Sequence, residues 1–181
     1  MEAGKTDAEP LIGTTGWQII RYDDGPVTAA RQAIGWSMTA SPSAALTRPE
    51  VEDAAQVFEQ VANELIAAAP TAEALAATLS SIAIWTSDLI GEVSTAPPAS
   101  LMEDENLLSA GIFHACTVSD PVARMIAVQS TAYAVARFRS AEQTFNEVVN
   151  LFCTFRFMFD LMSQQSGATT EQLLLSMFAR S

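Results

Sequence analysis

The chain has 181 residues, 49% of them hydrophobic and 17% charged, with a formal net charge of −12. That length suits one domain able to bury a full core without disulfide or metal support, and that hydrophobic content is too high for a chain disordered throughout. Nine basic residues scattered among 21 acidic ones leave no basic patch, so direct nucleic-acid binding, which draws its non-specific affinity from phosphate contacts, is not expected.

The charge is uneven along the chain. Residues 1–105 carry 16 acidic and 4 basic residues, and residues 106–181 carry 5 of each. The first part reads as the solvated, acidic part, and the second as apolar and near neutral, which suits a core or an interface. Mimicry of DNA is the sharper reading of such acidity, and ordinary solubility the plainer one. Two cysteines, Cys116 and Cys153, make no disulfide framework. The polar N-terminus shows no signal-peptide pattern. The longest uncharged runs are about fourteen residues, short of the roughly 20 apolar residues a membrane span needs. A cytoplasmic location with both thiols reduced is the corresponding expectation.

In chain order, residues 1–16 read as a leader, and GWQIIRYDDGP (16–26) as an extended segment ending in a turn. Trp17, Ile19, Ile20 and Tyr22 favour a strand, and Asp23-Asp24-Gly25-Pro26 is a turn signal. A strand without a partner packs only as an arm, so Trp17 and Tyr22 become candidates for contact with a neighbouring subunit. A helix follows over 27–38. Thr47 and Glu50 have capping-box spacing with Pro49 in the first turn, and Val51, Ala55, Phe58, Ala62, Leu65 and Ala69 mark one face of the next helix. Pro70 ends it, and Thr71 can cap a third helix running to Val93. The small residues Ala74, Ala76, Ala77, Thr78, Ser80 and Ser81 on that helix let a neighbour approach closely.

Pro97-Pro98 forces a loop. Ser100 and Glu103 form a second capping box for a helix ending near Thr117, with Glu103, Asp104 and Glu105 favoured in its first turn by the helix dipole. Asp120-Pro121 starts a run that no Gly or Pro interrupts until Gly167. As one helix it would be about 65 Å long, so a kink or break is expected near Arg139–Gln143. Thr169 and Gln172 resemble a third capping box before a short last helix.

The sequence therefore predicts an all-α, single-domain helical bundle of about six helices (27–181), preceded by a leader and extended N-terminal arm (1–26). No cofactor or metal motif stands out. His114 and Cys116 lie two residues apart, about 200° around a helix, and cannot easily share a metal or act together. Neither a phosphate-binding loop nor a paired Glu-x-x-His motif occurs, and an enzyme is the weakest reading. Asp23 and Asp24 read as a solvated turn rather than a cation site. Arg137, Arg139 and Arg156 either pair with the acidic helices over 50–64 and 103–105, or serve an anion or partner.

The stretch NLFCTFRFMFDLM (150–162) holds the densest aromatic surface. At 100° per residue, Phe145, Val148, Leu151, Phe152, Phe155, Phe159 and Met162 share one broad arc, with Met158 at its border. Phe157 and Leu161 fall on a second face. Arg156 and Asp160 separate the two faces on one side, and Thr154 and Glu147 on the other. One face meets the core. The second suggests protein–protein association through Phe157 and Leu161, either with itself or with another protein. The alternative is a receptor or carrier for an apolar small molecule, its pocket lined by Phe152, Phe155, Met158, Phe159 and Met162.

Overall fold

A computed structural model describes residues 10–12, 18–20, 25–40, 48–93 and 107–179. Two short strands, β1 (Pro10–Ile12) and β2 (Gln18–Ile20), pair antiparallel with Pro10 opposite Ile20. The expected lone strand thus has a partner, drawn from the leader. Pro10, which lacks an N–H, suits the end of an edge strand. Trp17, Tyr22, the Asp23-Asp24 turn, the Thr47 cap and the Ser100–Glu103 box lie outside the described residues.

Seven helices follow among the described residues: α1 (Gly25–Ala40), α2 (Arg48–Ala68), α3 (Ala72–Glu92), α4 (Leu107–Cys116), α5 (Pro121–Phe138), α6 (Ala141–Ser166) and α7 (Thr170–Ala179). The all-α bundle is as the sequence implies, with one helix more than the expected six. The extra one arises because the break foreseen near Arg139–Gln143 is a complete stop. Arg139 and Ser140 both adopt extended backbone. The Ser140 hydroxyl then accepts from the Gln143 N–H at 3.2 Å, while the Gln143 side chain accepts from the Ser140 N–H at 3.0 Å. This reciprocal cap satisfies two otherwise orphaned donors and starts α6 afresh.

Four of the other predicted boundaries rest on the expected chemistry. The Thr71 hydroxyl accepts from the Ala74 N–H. Asp120 caps α5, with Pro121 in the first turn where its missing N–H costs nothing. Thr169 and Gln172 form the reciprocal cap of α7. Gly167 ends α6 at φ 68°, a left-handed conformation that glycine adopts without strain.

The centre of the bundle is α3, which packs against α1, α4, α5 and α6. By length and composition alone α3 could cross a membrane, yet 61% of its most apolar window is buried inside the bundle. α6 lies against α2, α3 and α4, and more lightly against α1 and α5, whereas α5 rests chiefly on α3 and α4. One continuous hydrophobic cluster joins Ile34, Phe58, Leu79, Ile82, Ile112, Val135, Leu151, Phe155 and their neighbours. At Gly111 an added Cβ would stand 2.7 Å from Thr131 Cγ2, so α4 and α5 meet closely there.

Candidate interaction surface

The aromatic helix α6 is enclosed. Phe152, Phe155 and Met158 are fully buried and Phe159 nearly so. Phe152 stacks against Phe58 of α2 with ring centroids 6.1 Å apart, and Phe155 against Phe159 at 5.8 Å. Of the residues assigned to a ligand pocket, Phe159 and Met162 border a recess of about 80 Å³ between α3, α6 and α7. Pockets for drug-sized ligands measure about 300–1,000 Å³. Phe157 and Leu161 are half-buried and pack against the core cluster.

Four polar residues of α6, Thr144, Glu147, Thr154 and Arg156, are enclosed as well. Arg156 is 4% exposed. Its Nε donates to Asp160 at 3.1 Å, and its Nη1 donates to the Met38 carbonyl at 3.0 Å. The guanidinium thereby ties α6 to the C-terminal end of α1. Glu147 is 2% exposed, and its two carboxylate oxygens accept the N–H groups of Leu107 and Leu108 at 2.8 and 2.9 Å. A carboxylate placed there satisfies orphan donors of α4 and complements the positive end of its dipole, while Arg139 Nη2 lies 3.7 Å from the same group. Thr154 gives its proton to the Asn150 carbonyl, which leaves the buried Ser109 hydroxyl as donor to Thr154 at 3.1 Å. Of the two strips that separate the apolar faces on a helical wheel, the one holding Thr154 and Glu147 is thus a buried polar seam against α4.

Arg137 and Arg139 are also engaged within the chain, and among the described residues their partners lie on α3 and α6. Arg137 Nη1 meets Glu73 Oε1 of α3 at 2.8 Å, and its guanidinium lies over the Tyr133 ring at 5.8 Å. Among the described residues, Arg137 pairs with Glu73 of α3, and Arg139 with Glu147 of α6. A polar concavity of about 450 Å³ is walled by Arg139, Gln143, Asn146 and Asn150, with Glu59 from α2 in the same wall.

The chemistry-bearing residues do not assemble. His114 is exposed, whereas Cys116 is half-buried and turned to α3, its Sγ 3.7 Å from Ser87 Oγ. Burial pushes the Cys116 thiol up, against smaller opposing effects from Ser87 and Arg124. Burial alone pushes the Cys153 thiol up to about 11. A thiol held protonated is a poor nucleophile. Among the described residues, no group of three or more His, Cys, Asp or Glu side chains could hold a metal ion.

What the bundle leaves open is the outer face of α5. Val122 is 58% exposed, Met125 43%, Ile126 55% and Tyr133 40%. Together with Gln129 they span an arc of about 100°, centred about 100° around the helix from the buried Val128, Ala132 and Val135. Beside this stripe runs a groove of about 660 Å³ between α1, α3 and α5. Its floor is Ala76, Ala77, Ser80 and Ser81 of α3, and Val27, Ile84 and Tyr133 stand around it. The small residues expected to admit a neighbouring helix thus line an open groove here. Tyr133, Gln129 and Ser130 join the groove to the stripe.

This surface escapes a reading of the sequence for a physical reason. The i, i+3, i+4, i+11 spacing of Val122, Met125, Ile126 and Tyr133 is visible, but it marks the larger apolar face of α5. A reader would place that face inside. The bundle buries Val128, Ala132 and Val135 instead, and at Gly111 α4 lies so near Thr131 that an added Cβ would stand 2.7 Å from it.

The molecule is an all-α bundle in which, among the described residues, the buried charges Glu147 and Arg156 are held by helix ends and five of the eight exposed large hydrophobic residues lie on α5. No protein-family model matches the chain, and neither curated proteins nor solved structures contain a significant match.

Proposed function

We propose that the protein acts by association with another polypeptide, and that the contact surface is the outer face of α5 with the groove beside it. The observation that carries this reading is the run of four large apolar side chains on one face of α5, each at least 40% exposed. Single exposed hydrophobics are ordinary, but a contiguous apolar patch rimmed by polar residues marks a contact site. Phe157 and Leu161 of α6 contribute less in this reading, being packed against the core. Trp17 and Tyr22 keep their role as candidate contacts of the N-terminal segment.

A photo-crosslinking side chain placed at position 126, compared with the same group at the exposed Gln165, tests the proposal in the producing cell. The expected outcome is a discrete protein adduct at position 126 that is missing at position 165. Equal labelling at both positions, or a crosslink only within the same chain, overturns it.

A further inference from the structure

Resting on that reading, we infer that the occupant of the α5 face is a second copy of the same chain, with the two α5 helices antiparallel about a two-fold axis between Gln129 and Ser130. The stripe is self-complementary in that register. Val122, Met125 and Ile126 lie on one side of the Gln129–Ser130 midpoint, and Tyr133 and Arg137 on the other. Reversing one copy sets Ile126 against the second copy's Tyr133, and Val122 against the aliphatic stem of its Arg137. The midpoint residues are modest in size and polar, which lets the helix backbones approach at the axis. A two-fold contact of this kind requires one patch that matches itself.

Charge selects both the partner and the orientation. At a net charge of −12, two copies repel over most of their surface. The α5 face escapes this, because α5, like α1 and α4, has no acidic residue along its length. The exposed Asp120 sits at the N-terminus of α5, one turn before Arg124, and the exposed Arg137 is in the last turn. Antiparallel pairing places Arg137 between its own Glu73 and the second copy's Asp120. Parallel pairing would place Arg137 beside Arg137 and Asp120 beside Asp120. The macrodipoles also favour the antiparallel arrangement. The groove continues the contact, because Gln129, Ser130 and Tyr133 line it and the small floor of α3 leaves room for side chains reaching over from the second copy.

Light scattering on the full chain, combined with engineered thiols, tests this. The expected result is a concentration-dependent dimer whose dissociation constant rises about thirtyfold or more in Ile126→Glu, the loss typical of a central contact residue. Under mild oxidation, Gln129→Cys gives a covalent dimer beyond the wild-type background from Cys116 and Cys153. Val122→Cys alone does not, because its two copies would stand about 22 Å apart along the axis at 1.5 Å per residue, far beyond the reach of a disulfide. A mixture of Val122→Cys and Arg137→Cys chains crosslinks with each other. A strict monomer overturns the self-pairing, and the photo-adduct at position 126 then decides separately whether a different protein occupies the face. A dimer that Ile126→Glu leaves intact likewise overturns self-pairing through this face, and the photo-adduct again decides the other reading. Crosslinking of Val122→Cys to itself, without Gln129→Cys, overturns the antiparallel register.

Discussion

The helices α6 and α5 are consecutive and share the apolar, near-neutral half of the sequence, yet the fold uses them in opposite ways. α6 is walled in by α1 through α5, so even its charged residues Glu147 and Arg156 are buried and hydrogen-bonded. α5 rests chiefly on α3 and α4 and turns four of its larger apolar residues outward. The contrast teaches that aromatic density along a sequence does not locate an interface. A helix surrounded by partners consumes its aromatic surface in the core, and a helix packed on one side keeps surface to spare.

The strongest test of that contrast is Phe155→Ala. Removing a fully buried aromatic ring leaves a cavity, and a loss of about 3–5 kcal/mol in unfolding free energy is expected from urea denaturation. Tolerance of this change, at a cost of less than about 1 kcal/mol, would mean that α6 is not the enclosed helix. Glu147→Ala follows at about 2–3 kcal/mol, since it strips the buried N–H groups of Leu107 and Leu108 of their acceptor. Glu147→Gln keeps one acceptor oxygen and should recover part of the loss, which separates hydrogen bonding from packing.

The enclosure of α6 also has a signature in pH. Cys153 is raised from 9.0 to about 11 by burial. Its contribution to stability is therefore fully present below the unfolded value and is lost as the pH rises through 9 toward 11, because the unfolded chain releases the proton first. The expected slope in that window is a loss of up to about 1.4 kcal/mol per pH unit. It is absent in Cys153→Ala once the other titrating groups are subtracted by difference. Equal slopes in the two proteins would show the thiol to be solvated.

How much of this contrast was legible beforehand differs between the two helices. The stop between them was, because the sequence turns polar at Arg139–Gln143 and a single helix through it would be too long. The core stripe of Phe152, Phe155 and Phe159 was also legible, being a 3.6-residue periodicity with one broad face. Two features were not. The burial of Glu147 and Arg156 depends on the N-terminus of α4 and the C-terminus of α1, which lie 40 and 118 residues away in sequence. No local pattern announces such long-range partners. The exposure of Val122, Met125, Ile126 and Tyr133 depends on how many helices surround α5, a property of the assembled bundle. The same limit explains why Phe157 and Leu161 suggested an open face: a helical wheel separates faces but does not count neighbours.

The smallest expected effect is also the one that divides the two helices most cleanly. Ile126→Ser, measured on dilute protein where association contributes nothing, should change unfolding stability by no more than about 0.5 kcal/mol, as exposed substitutions usually do. At higher concentration the wild type should gain apparent stability and the variant should not, because a partner that binds only the folded state stabilises it by mass action. Phe155→Ala should show the reverse, a large loss that does not depend on concentration. Were Ile126→Ser to cost several kcal/mol in dilute solution, the outer face of α5 would have to be covered by the chain itself. α5 would then be a second enclosed helix, and nothing would remain on its surface for a partner to recognise.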